Sequence, residues 1–271
     1  ADSTGTLELG RMALGFSSNS FHTNGVSTVD TNNYELSFAI RAVSPTGTGV
    51  FISPQGIVNA ASFAPVGAPL SPGGFFTIFG SGLASATTVA NSLPFPTTLG
   101  NVQVLVNGTA APLYLTSAGQ ISALVPFAAS GTTASIVVVN SGQRSNTVDL
   151  PLARSAPGIF TIPAAGTGPG ALLHADFTLV NAAAPARRGE TVLLFLTGLG
   201  AVTPSIRDGA AAPSNPLSLV PGGVNVYIGG RLANVVFKGL APGLAGLYQI
   251  NFTIPATATT GSAVPLAIET P

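Results

Sequence analysis

The hydrophobic and polar positions along the chain alternate over short runs that end at Gly, Pro or Asn. VQVLVNG (102–108) and SIVVVNSG (135–142) show the pattern in the first half, and VNVYIGG (224–230) and LYQINFTIP (247–255) show it in the second. Alternation with a period of two is typical of a strand with one buried face, whereas few stretches keep a 3.6-residue period. The pattern predicts an all-β fold of short strands and frequent turns.

The chain runs through the same succession of features twice. FFTIFGSGLA (75–84) returns in the second half as VLLFLTGLGA (192–201). Each phrase is followed by a loop with Pro and Thr or Ser, a V-x-V strand, a two-residue turn and a strand that ends at Pro. The turns, Asn107-Gly108 and Gly229-Gly230, suit the positive φ values of tight hairpins. One β-rich unit therefore occurs twice.

The size of the repeat indicates the kind of domain. About seven strands in roughly 100 residues are typical of an immunoglobulin-like β-sandwich, although the Cys-Trp-Cys core of antibody domains is absent. We expect two such sandwiches in tandem, at residues 51–162 and 163–271. The stretch SAPGIFTIPAAGTGPG (155–170) is interpreted as the junction between the two units.

Residues 1–50 lie outside both repeats and are predicted to be an N-terminal arm that carries strands. The apolar positions of its first strand, which we expect to be an assembly strand, are Leu7, Leu9, Met12, Leu14 and Phe16. Those of its second strand are Tyr34, Leu36, Phe38 and Ile40. Two or three strands cannot bury a core by themselves, so they must pair with another sheet. That sheet belongs either to the same chain or to a neighbouring copy.

The charge of the chain excludes several classes of partner. Only 9 basic and 9 acidic residues occur among 271, and Lys238 is the single lysine. Nucleic-acid binding needs a basic patch, and attraction to anionic lipid needs a cluster of Lys and Arg. No run of 18 apolar residues occurs, so we expect no membrane insertion. A weakly charged surface repels its own copies poorly, which favours self-association.

Cysteine is absent, which excludes a disulfide framework and a thiolate nucleophile. The chain begins Ala-Asp-Ser, which fits either a mature secreted protein or a sequence that starts within a longer one. We expect an extracellular or cell-surface location.

The sequence gives little support to enzymatic chemistry. The two histidines are His22 and His174, and no G-x-S-x-G nucleophile elbow occurs. His174 and Asp176 are interpreted as surface residues near the junction. The acidic residues are scattered one by one, and the segment 30–35 lacks the glycine of a calcium loop. We therefore predict no enzyme, no cofactor and no metal site.

Two features of the sequence concern sugars: N-glycosylation motifs and tyrosines that a bound glycan could contact. Asn107-Gly108-Thr109 and Asn251-Phe252-Thr253 match the N-glycosylation pattern. A bound glycan could also contact Tyr114, Tyr227 or Tyr248, although packing within the sandwiches is the simpler interpretation of these tyrosines.

Several ordered motifs resemble IPT/TIG-type immunoglobulin-like domains. More closely, the chain is similar to an uncharacterised family of bacterial C-terminal surface domains of the acidobacterial type, over residues 56–271. The motifs of the first unit are NAASF (59–63), PGGFFTIFGSGLA (72–84), LPFPTTLGNVQVLVNG (93–108), QISALVP (120–126) and APGIF (156–160). Those of the second unit are TGLG (197–200), DGAAAPSNPLS (208–218), FKGLAPGLAGLYQINFTIP (237–255) and AVP (263–265). The resemblance implies β-sandwiches at a cell surface and brings no catalytic residues.

Two functions follow as hypotheses. The first is a structural subunit of a pilus-like extracellular filament or surface layer, a head-to-tail homopolymer in which the arm adds a strand to a neighbouring subunit. The alternative is a monomeric binding module or adhesin that recognises a glycan or a protein.

Overall fold

The computed structural model describes residues 49–64 and 67–271, and these residues belong to one compact unit. Eighteen strands and no helix occur in the described part. The strands are β1 (Phe51–Asn59), β2 (Phe75–Ser81), β3 (Thr88–Val89), β4 (Val102–Val106), β5 (Thr109–Ala110), β6 (Leu113–Thr116), β7 (Gln120–Leu124), β8 (Thr133–Asn140), β9 (Gln143–Arg144), β10 (Val148–Pro151), β11 (Gly158–Ile159), β12 (Leu172–Leu173), β13 (Thr191–Thr197), β14 (Asn225–Ile228), β15 (Arg231–Leu232), β16 (Asn234–Leu240), β17 (Tyr248–Thr253) and β18 (Leu266–Glu269). The all-β prediction is confirmed.

The first sandwich packs a sheet of order β1-β2-β7-β6-β3 against a sheet of order β10-β8-β4-β5, with β9 paired to β8. The alternation of the sequence decides which side chains are buried. Val102, Val104 and Val106 of β4 turn into the core and are at most 1% exposed. Phe76 and Ile78 of β2 meet them from the other sheet and are fully buried.

The second sandwich packs a sheet of order β11-β13-β17-β16, with β12 paired to β13, against a sheet of order β15-β14-β18. Val192, Leu194 and Leu196 of β13 are fully buried, as are Ile250 and Phe252 of β17. In the second sandwich, β13, β17 and β16 thus follow one another in the sheet as β2, β7 and β6 do in the first.

Both predicted hairpin turns are present. Asn107 and Gly108 join β4 to β5 with φ values of 50° and 82°. Gly229 and Gly230 join β14 to β15 with φ values of 57° and 74°. Positive φ at both central residues matches the right-handed twist of the paired strands.

The repeated phrase has a physical cause in the glycine that follows β2 and β13. Gly82 and Gly198 have φ values of 62° and 84°. A Cβ on Gly82 would overlap the carbonyl of Gly49, and a Cβ on Gly198 would overlap the carbonyl of Ala156. Both carbonyls belong to the segment that leads into the first strand of the respective unit. Leucine follows in both places and enters the core. Each glycine thus lets the incoming backbone pack closely against the end of the strand, while the leucine that follows the glycine stays buried.

The chain passes from one sandwich to the other between Pro151 and Gly158. Leu152 still belongs to the first core, whereas β11 pairs with β13, with Gly158 opposite Thr197. The two-residue strand at 158–159, too short to be recognised in the sequence, thus pairs within the second unit. The domain boundary at 162/163 stays a prediction.

The two sandwiches are joined by hydrogen bonds around the start of β2. The Ser71 hydroxyl donates to the carbonyl of Gly198 over 3.0 Å, and the Phe75 N–H donates to Thr197 Oγ1 over 2.7 Å. The Asn59 amide donates to the carbonyl of Ala156 over 3.2 Å. Side chains of the first unit thus bind the linker and the TGLG motif of the second.

The Asp208-Gly209 turn makes a further contact between the sandwiches. The Asp208 carboxylate accepts the N–H of Phe127 over 2.8 Å, and the Gly209 carbonyl accepts the N–H of Phe95 over 2.9 Å. A Cβ on Gly209 would lie 2.9 Å from Pro112, so this turn can dock closely only without a side chain. The motif DGAAAPSNPLS, expected to be a loop, is therefore also a part of the junction.

An ion pair fastens the loop after β12. The Nδ1 of His174 pairs with Glu190, and its Nε2 donates to the carbonyl of Ala184. These hydrogen bonds raise the pKa of His174 above its usual range. Burial alone would raise the pKa of Glu190, but the bonds from His174 and from the Arg187 N–H lower it overall. Each of these shifts favours the charged form of its group.

We expect Gly198→Ala to destabilise the chain more than Gly189→Ala. The two glycines have φ values of 84° and 80°, so both substitutions carry the cost of a left-handed alanine, about 1–2 kcal/mol. A Cβ on Gly189 meets nothing within 4 Å, whereas one on Gly198 overlaps the Ala156 carbonyl. Overpacking should remove a further ~1–3 kcal/mol from the free energy of unfolding, measured by urea denaturation. Equal losses would contradict the steric role of the Ala156 carbonyl.

We expect His174→Gln to lower stability in a pH-dependent way. The raised pKa of His174 means that its contribution is complete below its usual 6.5 and is lost as the pH rises through the folded value. The lowered pKa of Glu190 means that its contribution is complete above its usual 4.5 and is lost as the pH falls through the folded value. The difference in melting temperature between wild type and variant should therefore be largest between these two pH values. A difference that is independent of pH would contradict the ion pair.

Candidate functional site

An open groove of about 860 Å³ lies where the two sandwiches meet. Its floor is the outer face of the β2–β7–β6 sheet, because Phe76, Ile78 and Ile121 turn inwards and leave their neighbours on the outside. One wall is the loop 90–95, and the other comes from Phe160 and the loop 244–247 of the second sandwich. The junction hydrogen bonds therefore fix the width of the groove.

Three aromatic rings form a cluster at this groove. The ring centroids of Phe75 and Phe95 lie 6.1 Å apart, those of Phe75 and Tyr114 6.2 Å, and those of Phe95 and Tyr114 5.6 Å. The ring of Phe75 meets those of Phe95 and Tyr114 edge to face, at 61° and 81°, and the rings of Phe95 and Tyr114 are tilted by 53°. Each ring holds its neighbours in place, so the aromatic surface is preorganised.

Tyr114 lies on the outer face of the sheet, beside a β-bulge in β6. Leu113 pairs with Ala123 and Leu115 pairs with Ser122, so Tyr114 is an extra residue between them. Leu113 is buried, so regular alternation already turns Tyr114 outwards, and the bulge shifts the register that follows. Tyr114 stays 42% exposed, which leaves much of its ring accessible to a ligand.

The loop that bears Phe95 is held at both ends by backbone hydrogen bonds. Ala90 N–H donates to the carbonyl of Tyr114 over 2.8 Å, and the carbonyl of Pro96 accepts the N–H of Leu113 over 2.8 Å. Between them, Phe95 is tied to the second sandwich through Gly209. This wall is therefore fixed to both units.

The polar part of the lining consists of uncharged side chains. Thr77 and Ser122 lie opposite each other on β2 and β7, with Gln120 two residues before Ser122. Asn91 and Ser92 contribute from the loop, and both are exposed. No residue that lines the groove in the described part of the chain carries a charge. Aromatic faces beside amide and hydroxyl groups suit a neutral ligand with both apolar and hydroxyl-bearing surfaces.

The three tyrosines considered for glycan binding have different positions. Only Tyr114 lines the groove. Tyr248 is fully buried and donates to the carbonyl of Gly200, and its burial raises the pKa of the hydroxyl. Tyr227 lies on β14 and donates to Glu269 over 2.9 Å, which raises the pKa of Tyr227. Packing is therefore the correct interpretation for Tyr248.

Both glycosylation candidates have bonded side chains. Asn107 donates to the carbonyl of Thr133 over 3.0 Å and accepts the Ser135 N–H over 2.7 Å. Asn251 lies within β17, opposite Leu193, and accepts a bond from Gln249 over 2.7 Å. Attached sugar stays a prediction at each of them. All the residues named for the two arm strands lie outside the described residues.

The sheet β15-β14-β18 provides a second candidate feature, an open edge. β18 pairs with β14, and no other strand of residues 49–64 and 67–271 pairs with β18. Its apolar residues Leu266 and Ile268 are only half-buried. Unpaired N–H and C=O groups along an edge are a template for a further strand.

Those of the residues considered for chemistry that the structure describes form no catalytic arrangement. Both ring nitrogens of His174 are engaged, so the imidazole has no free position to accept a proton, and it does not line the groove. Arg188 donates to the carbonyl of Ala258 over 2.8 Å. Within the described residues, no three His, Asp or Glu side chains gather as a metal site would need. The same part of the chain holds no helix long and apolar enough to span a membrane.

The groove was not predicted from the sequence. Phe75 and Phe95 are twenty residues apart, Phe160 and Leu244 belong to the other unit, and no motif links them. The one available signal was Phe75, which places an aromatic residue at the outward position of a strand whose neighbours are buried.

Comparison with known proteins gives distant structural matches alone. No family model matches the chain, and no curated protein matches it. Among solved structures, the γ-CGTase of Alkalophilic bacillus clarkii has 15% identity and a TM-score of 0.29, over 84% of this chain and 24% of that one.

Two surface glycan-binding proteins also match. SGBP-B of Bacteroides ovatus, solved with a mixed-linkage heptasaccharide, has 13% identity and a TM-score of 0.32, over 76% of this chain and 39% of that one. PbSGBP-B of Prevotella bryantii has 13% identity and a TM-score of 0.26, over 83% and 40%. The chain thus spans less than half the length of each of these proteins, and similarity at this level assigns neither a family nor a ligand.

Proposed function

We propose that this chain is an extracellular surface-binding module that holds a neutral glycan in the groove between its two sandwiches. The observation that supports it is the aromatic cluster of Phe75, Phe95 and Tyr114 beside uncharged amide and hydroxyl groups. A sugar ring has apolar C–H faces and equatorial hydroxyl groups, so it uses both kinds of surface. A charged ligand would be left unpaired in this lining.

The groove also has the rigidity that a binding site needs. Its floor is a paired sheet, and its walls are tied together by the bonds of Phe95 and Phe75 to the second sandwich. A preformed site does not spend binding free energy on ordering its own side chains. The resemblance to a bacterial surface-domain family, proposed from the sequence motifs, agrees with this role.

Assembly into a filament is a second candidate function, and one specific observation favours it. No strand among the described residues pairs with the outer edge of β18. The arm at residues 1–50 is predicted to carry strands that must pair with a sheet. Strand addition supplies main-chain hydrogen bonds for affinity and alternate side chains for specificity. A subunit with both features can join its copies head to tail.

We expect Tyr114→Ala to weaken glycan binding at least about tenfold, which corresponds to about 1.4 kcal/mol. Retention of the full chain on immobilised mixed-linkage glucan, xyloglucan and starch identifies the glycan, and titration calorimetry then gives the dissociation constants. Phe177→Ala is the matched control, because Phe177 is an aromatic ring outside the groove that is 69% exposed. Failure of all these glycans to bind, or equal weakening by both variants, would overturn the proposal.

We expect the full-length chain to form filaments under the electron microscope and a version that lacks residues 1–16 to remain as single particles. The reason is that the deletion removes the predicted assembly strand and leaves both sandwiches intact. Circular dichroism and thermal unfolding of the two proteins check that the sandwiches remain folded. Single particles in both samples would remove the filament function and leave glycan binding as the sole proposal.

A further inference from the structure

The two sandwiches differ in one strand. In the first, β8 lies between β4 on one side and β10 on the other. In the second, β18 pairs with β14 in the same register as β8 pairs with β4. Just before the hairpin turn, Leu266 lies opposite Ile228 in the second sandwich, and Ile136 lies opposite Val106 in the first. No strand of the described residues occupies the place of β10 beside β18.

The difference is visible in the burial of the core. Ile136 and Val138 of β8 are fully buried, whereas the equivalent Leu266 and Ile268 of β18 are half-buried. In the first sandwich β10 closes the core with Val148 and Leu150, which are 8% and 6% exposed. A strand with the same alternation beside β18 would close the second core in the same way.

The backbone of β18 is also directed to receive a strand. The Gly229 N–H donates to the carbonyl of Pro265 over 2.8 Å, so Pro265 faces β14. Successive residues of a strand turn their N–H and C=O to opposite sides, so Leu266 and Ile268 turn theirs to the outer edge. Pro265, which has no N–H, therefore does not interrupt that edge.

The sequence of the arm contains a segment that matches β10. Thr147-Val148-Asp149-Leu150 has the order threonine, aliphatic, acid, leucine, and Thr6-Leu7-Glu8-Leu9 repeats it. In the first sandwich the acid of this pattern lies on the outer face, where Ser135 Oγ donates to Asp149 over 2.6 Å, and the aliphatic residues point inwards. Residues 6–9 therefore have the pattern of a strand that closes a sandwich.

The position of the edge points to a second copy as the donor. Asn59, at the end of β1, contacts the linker at the junction. Phe51, at the start of β1, pairs with Ser81 at the far end of β2, so β1 starts at the end of the first sandwich that is remote from the junction. Thr270, just after β18, contacts Ser155 at the junction, so the start of β18 lies at the opposite pole of the second sandwich. The described residues therefore begin at one pole, and the start of β18 lies towards the other.

A donor from the next copy repeats the order that the chain already uses. Within the chain, β10 closes the first sandwich and leads through residues 152–157 into the second. We propose that residues 6–9 of one copy pair antiparallel with β18 of the preceding copy, with Leu7 opposite Leu266 and Glu8 opposite Pro265. This inference rests on the second proposed function, and it names the acceptor strand and the register.

Single cysteines test the register, because the chain has none of its own. Glu8 and Pro265 would form a pair that does not exchange hydrogen bonds, with Cα atoms about 4.5 Å apart, within the span of a disulfide. An oxidised mixture of E8C and P265C chains should give a covalent dimer, and the double variant should give a ladder of longer products. Leu9→Cys is the matched control, because its side chain points to the other face, and its yield with P265C should be lower by about tenfold or more.

Each outcome decides the proposal. A double variant that links within one chain, while the mixture stays unlinked, would show that the arm closes its own sandwich and would overturn donation between copies. Absence of any link would overturn the β18 register. Filaments seen by electron microscopy in the same unlinked samples would keep the assembly function and reject this inference alone. Thermal unfolding of each single variant under reducing conditions verifies that both chains are folded.

Discussion

The junction between the sandwiches depends on the start of β2 and the end of β13. The Phe75 N–H and the Ser71 hydroxyl bind Thr197 and Gly198, and glycine at 198 leaves room for the linker carbonyl at Ala156. These contacts set the angle between the two units. Since the groove has its floor in the first sandwich and one wall in the second, a hinge at this point would remove the site.

The groove shows how a chain with little charge can still recognise a ligand. Only 18 of 271 side chains are charged, and none of them lines the groove in the described residues. Specificity must then come from the shape of the aromatic cluster and from hydrogen bonds of Gln120, Ser122 and Asn91. Such contacts are insensitive to salt, unlike those of a charged site. A neutral glycan, rather than an ionic ligand, suits this chemistry.

A second constraint on the fold is that the backbone N–H and C=O groups of a strand need hydrogen-bond partners. β10 meets that need in the first sandwich, and the described residues contain no strand that meets it in the second. Natural sheets protect their edges with charges, bulges or short strands. Here the edge combines half-buried Leu266 and Ile268 with outward-facing backbone groups, which is a surface suited to one further strand.

The sequence by itself determined the fold class, the tandem repeat and both hairpin turns. These features depend on local physics: alternation decides which face of a strand is buried, and Asn107, Gly108, Gly229 and Gly230 are residues that tolerate positive φ. The same alternation predicts strands in the arm, and the residues named for them lie outside the described residues. Local signals also predict a junction near residues 155–170, but they did not reveal the short β11.

Only the tertiary structure decided where the candidate sites are. Phe75, Phe95 and Tyr114 come together within the first sandwich, and the packing of the second sandwich against it adds Phe160 to the same groove. That no strand among residues 49–64 and 67–271 pairs with the outer edge of β18 is likewise a property of sheet order, which depends on pairing between distant strands. Contacts between residues far apart in the sequence leave no periodic pattern, so the sequence showed the strands while the fold decided which surfaces they leave open.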